Sequence, residues 1–173
     1  MTFKQAAVLA PVSFFLGVLF ICLNVDHKLL WGELTQETIH NGFQFYTTFF
    51  NAPPAIKALL HTMIGVGILG LVSKLHKWDD SAMYFDGSSL ATYVLGISVY
   101  LSVTVPALRT ISSQEDKEER LAAMRVLSAG NIIIMFLLGG ILILQAGQEY
   151  AKRADTTVPN QPQEQQESEK KNQ

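Results

Sequence analysis

The chain has 173 residues and a formal net charge of −2, a size for one small helical bundle and a charge that argues against a nucleic-acid surface. Its single cysteine, Cys22, rules out an internal disulfide, a CxxC redox pair and a multi-cysteine zinc site. Hydrophobic residues make up 49 % and mean hydropathy is only +0.22, ordinary averages, so the class must be read from how these residues are distributed.

Four stretches lack Asp, Glu, Lys and Arg: residues 5–25, 58–73, 87–108 and 126–148, of 21, 16, 22 and 23 residues. A helix needs about 20 mostly apolar residues to cross the hydrocarbon core. The first, third and fourth runs meet this directly. The second is extended backward by "PPAI", with Lys57 able to snorkel on its apolar stem, to a span of 54–73. A water-facing amphipathic helix carries charge on its outer face, and none of these runs does. Four fully buried core helices would leave nothing to form the outside of so small a chain. The expected fold is therefore all-α: a polytopic membrane protein with a four-transmembrane-helix bundle (residues 1–151; spans 5–25, 54–73, 87–108 and 126–148) and a disordered C-terminal tail, 152–173.

The first run follows Lys4 but is longer than the apolar core of a cleaved signal peptide. Its exit, "FICLNVDHK", has no small-x-small site, so it reads as a retained span. In the following loop Ile39, Phe43, Tyr46 and Phe50 recur at helical spacing, with Thr35 as N-cap and "NAPP" as the stop. Such an aromatic helix either lies at the lipid interface or contacts another membrane protein. The "KLHKWDDSAMYFD" stretch, 74–86, reads as a hairpin tip in water between spans two and three. Pro106 sits near the end of span three, where its missing N–H favours a kink. After it, Ser112 and Glu115 form a capping box, and Asp116 and Arg120 are spaced as an i, i+4 ion pair, so a long fourth helix should start near Ser113. From Lys152 onward the Gln-, Glu- and Pro-rich tail has too little apolar surface to offset ordering entropy.

Lysine and arginine counts, seven on one side against six on the other, leave orientation open. The ending "KKNQ" matches a dilysine retrieval signal, which makes Lys170 and Lys171 an address for the endoplasmic reticulum. The reader of that signal is cytosolic, so four spans put both termini in the cytosol.

Inside the spans, small and uncharged polar residues are candidates for helix packing or client contact. Ser88, Thr92 and Gly96 form a row in span three; Asn131, Gly139 and Gly140 lie in span four, with Gln145. Span two carries Gly65, Gly67 and Gly70. No Asp or Glu lies within the spans as drawn, so His61 lacks intramembrane partners and reads as an interfacial or packed histidine. Neither a metal-ligand spacing, a Ser-His-Asp arrangement nor a phosphate loop is signalled. The expectation is a non-enzyme with no catalytic, cofactor-binding or metal residues.

Three strings, "SFFLGVLF", "DSAMYFDGSSLATYVLG" and "GGILILQAGQEYA", resemble the fungal family of ER membrane chaperones that package amino-acid permeases, in order over about residues 5–151. The resemblance implies an ER-resident packaging factor that keeps newly inserted permeases from aggregating and promotes their exit in coat-protein-II vesicles. Its implied partners are amino-acid permeases, vesicle coat components and the lipid bilayer. The alternative is a small four-span ER enzyme resembling membrane-associated glutathione transferases. That class would need Arg and Asn together at a span edge to hold an anionic cofactor, and here Arg120 and Asn131 are eleven residues apart.

Overall fold

A computed structural model describes residues 3–75, 80–113 and 116–157, all-helical with short connections and without strands among these residues. Helix α1 spans Phe3–Trp31, α2 Gln36–Phe50, α3 Pro54–Leu75, α4 Asp80–Val99, α5 Val105–Ser113 and α6 Lys117–Thr157. Four rods are long and apolar enough to cross a bilayer: α1, α3, the α4–α5 rod and α6. At 1.5 Å per residue, the 41 residues of α6 extend roughly 60 Å, well beyond a hydrocarbon core of about 30 Å. The expected tail therefore begins as helix, and residues 158–173 lie outside those described, Lys170 and Lys171 among them.

The four rods close into a bundle. Helix α1 packs on α3 and α6, and α4 packs on the same two, so α1 and α4 face each other across one diagonal and α3 and α6 across the other. Its apolar centre is Val8 and Val12 of α1, Leu71 of α3, Tyr93 of α4, and Leu138 and Ile141 of α6. Close approach is paid for with glycine. A Cβ on Gly70 would sit 2.8 Å from the Ala7 carbonyl oxygen, and one on Gly67 would overlap the Tyr93 hydroxyl. In lipid, where water does not drive helices together, such backbone contact is a principal source of association.

Between α4 and α5 the backbone widens into a π turn, Tyr100–Thr104. Pro106 has no N–H to give, and its ring crowds the carbonyl of Ser102, so one looser turn just before it relieves the clash. The rod continues into α5 with its bonding restored.

Helix α2 is capped at Thr35, whose Oγ1 accepts from the Thr38 amide at 3.2 Å, and ends before the double proline. Its aromatic stripe is not all turned to lipid. Tyr46 is buried, and Ile39, Phe43 and Phe45 pack with Leu29, Ile111, Met124 and Leu127 over the open end of the bundle.

Two local expectations are corrected. Ser112 is not a cap: it lies inside α5, its hydroxyl donating to the Leu108 carbonyl at 3.1 Å. Asp116 caps α6 instead, accepting from the Glu118 amide at 3.0 Å; Glu115 is outside the described residues. Nor does Arg120 pair with Asp116. Its Nε donates to the Ile111 carbonyl at 2.8 Å and its guanidinium lies 4.2 Å from the centre of the Phe43 ring, a stacked geometry that a neighbouring carboxylate four residues back does not offer.

Candidate functional site

Two buried polar clusters stand at opposite ends of the bundle. The first forms where α3 ends, α4 begins and α6 approaches its exit. Lys74 Nζ lies 2.7 Å from Asp86 Oδ1, and both side chains are nearly sealed from solvent. Lys74 also donates across the bundle diagonal to Gln145 and, at 2.8 Å, to Gln148. The two amides return the favour to Asp86: Gln145 Nε2 to Oδ1 at 3.1 Å, Gln148 Nε2 to Oδ2 at 2.7 Å. Gln145 reaches Ser89 Oγ as well, at 3.0 Å, while that hydroxyl donates to the Phe85 carbonyl. The positions three apart on α6 share one face, which is what lets both glutamines point at one ion pair. Around this core, Lys4 donates to the Ser73 carbonyl at 2.9 Å and Gln5 to Glu149 at 3.0 Å. All four rods are thereby tied at this end.

The ends of the hairpin tip expected across 74–86 are not in water. Its two outermost charges, Lys74 and Asp86, fold inward, because each neutralises the other and the glutamines fill the remaining donors and acceptors. Residues 76–79 lie outside the described segments.

The second cluster lies about 21 Å away along α6, fourteen residues from Gln145 to Asn131. Asp26, one residue beyond the first span as drawn from sequence, is inside α1 and fully buried. Tyr46 of α2 donates its hydroxyl to Asp26 Oδ1, and Asn131 Nδ2 donates to Asp26 Oδ2 at 3.1 Å and touches the Tyr46 oxygen at 3.3 Å. Burial pushes the Tyr46 phenol far above its ordinary pKa and the adjacent carboxylate reinforces this, so Tyr46 keeps its proton and donates it. Among the described residues Asp26 has no cation beside it. The hydroxyl of Ser128, also buried, stands beside Asp26 and Tyr46 in this cluster.

The residues singled out from sequence are scattered by the fold. Asn131 joins the second cluster through its Nδ2. Ser88 is exposed on α4, and the Thr92 hydroxyl turns back to the Ser88 carbonyl at 2.8 Å. Gly96 is buried against α6, where a Cβ would meet Leu137 at 3.9 Å; Gly139 and Gly140 have no neighbour within 4 Å of such a Cβ. His61 is exposed, with Nδ1 2.6 Å from the Lys57 carbonyl. Arg120 and Asn131 answer to different partners, and about 16 Å of helix separates them. Sequence reasoning passed over Gln148 and Asp26, read Lys74 and Asp86 as hairpin-tip charges, and gave Tyr46 only as part of the aromatic stripe of α2. The available signal was a charge standing immediately at the border of an uncharged run, facing amides on another run.

Both clusters tie helices together: acids and amides bond one another inside a bundle of four rods long and apolar enough to cross a membrane. That defines a polytopic helical membrane protein with a polar seam. Its residues 1–173 match the family described as ER membrane protein SH3, the SHR3 chaperones, and the chain belongs to that family. It is 23 % identical over 142 residues to "Secretory component protein psh3" of Schizosaccharomyces pombe, an alignment covering 81 % of this chain. It spans 66 % of that relative's length, just short of two thirds. No solved structure matches it.

Proposed function

We propose that this protein is a non-enzymatic ER-membrane chaperone that assists the folding of polytopic amino-acid permeases and their exit in coat-protein-II vesicles. The observation that carries the reading is family membership along the entire chain. The name of the yeast relative, a secretory component, supports the same direction.

The physical rationale is a division between inside and outside. A half-assembled permease exposes polar and small-residue faces to lipid, where unsatisfied groups are costly. A chaperone for such faces must not offer its own ionisable groups as competing partners, and here Lys74, Asp86 and Asp26 are locked inward. What the α4–α5 rod offers outward is mild: Ser88, Ser98 and Ser102 are exposed, the last two bonded to carbonyls of the same rod at 2.9 and 2.6 Å. These hydroxyls can exchange bonds with a passing client helix at low cost. In this reading Ser88 and Thr92, with Gly139 and Gly140, contact the client, and Gly96 serves packing against α6. Lys170 and Lys171 return the chaperone to the ER from a cytosolic tail, and Met1 is cytosolic too.

Deleting the gene should trap amino-acid permeases in the ER and abolish uptake of amino acids as nitrogen source. Normal permease traffic in the deletion strain contradicts the reading. Converting Ser88 and Thr92 together to Leu should weaken permease protection while the span stays inserted; intact traffic in that variant removes these two from the client surface. Replacing Lys170 and Lys171 with Ser should let the protein escape the ER, and an unchanged distribution dismisses the address.

A further inference from the structure

Beside the second cluster, but separate from it, a groove of about 540 Å³ runs along the flank of α2 to the start of α6. His40, Gln44, Thr47, Thr48, Asn51 and Arg120 supply its polar lining, and no acidic side chain lines it. Phe43, Ala52 and Pro53 make the remainder apolar. Arg120 is its fixed cation. With Nε held by the Ile111 carbonyl at 2.8 Å and the guanidinium plane over Phe43, the fork is pre-oriented. Its terminal nitrogens have no partner among the described residues, and it makes no ion pair there. A planar, pre-oriented guanidinium with neutral donors nearby and no competing carboxylate is suited to a phosphate.

The position of the groove selects the source of that phosphate. It ends at Ala52 and Pro53, immediately before Pro54, where α3, a helix long and apolar enough to cross a membrane, begins. One turn on, Lys57 Nζ lies 5.6 Å from the centre of the Phe50 ring, the mix of aromatic and basic side chains found at headgroup depth. A cleft at that depth, cationic at Arg120 and apolar at Phe43, Ala52 and Pro53, fits an amphiphile better than a free ion. We infer that this groove binds the phosphodiester headgroup of a membrane phospholipid, with Arg120 gripping the phosphate.

The test uses the full chain in detergent, with short-chain phosphatidylglycerol as probe and native mass spectrometry as readout. Wild type should retain the lipid, and Arg120→Gln should weaken retention about tenfold, the worth of roughly one charge-assisted contact. Because Arg120 also holds Ile111 and Phe43, a second variant guards against misfolding. Thr48 is an exposed α2 position, so Thr48→Glu adds a repelling charge to the groove without removing a tertiary contact. It should lose lipid about as strongly, while Thr48→Gln should stay near wild type. Wild-type retention by both Arg120→Gln and Thr48→Glu overturns the inference. So does equal retention of uncharged diacylglycerol, which would make the groove merely greasy. Displacement of the lipid by inorganic phosphate at matching concentration overturns the lipid source in favour of a free anion, and displacement by an acidic peptide at lower concentration overturns it in favour of a protein loop.

Discussion

The two ends of the bundle solve the same problem with opposite electrostatics. At the Lys74 end a full positive and a full negative charge are buried together, and two glutamines complete their bonds. At the Asp26 end one acid is buried with only neutral donors, Tyr46 and Asn131. The first arrangement fails when either charge is removed alone. The second needs hydrogen bonds but no countercharge. A buried ion pair is weak evidence for net stability, yet breaking one side of it is expensive because the survivor is stranded.

The largest effect should come from Lys74→Met, which strands Asp86 and should cost about 3–5 kcal/mol in detergent-monitored unfolding. The double change Lys74→Met with Asp86→Leu should recover most of that loss. If the double variant is as unstable as the single, the ion pair is not what makes this end fragile. Next, Gly70→Ala should cost about 1–3 kcal/mol, because the added methyl meets the Ala7 carbonyl, backbone that cannot swing aside. The same change at Gly139, which has open space beside it, should be near neutral; equal costs at the two sites would show that helix spacing here is not set by Gly70. Smaller again is Tyr46→Phe, about 1 kcal/mol, since Asp26 keeps its bond from Asn131. Smallest is Thr35→Ala, at about 0.5–1 kcal/mol confined to α2 and read by hydrogen exchange of its first turn, which leaves both clusters untouched.

How much of this was readable in the chain follows the same divide. The four apolar rods were legible because a bilayer imposes a minimum length on uncharged sequence, and α2 was legible from Thr35, the aromatic spacing and the double proline. The seam was not. Lys74 and Asp86 looked like loop charges because, in sequence, a charge at the edge of an apolar run has the same appearance whether it faces water or a partner. Only the fold brings Gln145 and Gln148, some seventy residues from Lys74, to its side. Asp26 was hidden by a boundary placed one residue too early. Asn131 was singled out as a polar group within a span, but its partners, Asp26 and Tyr46, lie 105 and 85 residues away. Arg120 was misjudged for the converse reason: local i, i+4 spacing was overruled by a ring and a carbonyl from other helices.

One pair of conservative substitutions bears most directly on these unlike poles: Asp86→Asn and Asp26→Asn, each removing one charge and keeping its shape. Unfolding of the full chain in detergent should show Asp86→Asn losing about 3 kcal/mol or more, with Lys74 left as a buried lone cation, while Asp26→Asn changes stability by about 1 kcal/mol or less. Equal losses in the two variants, or a larger loss at Asp26, would contradict the account.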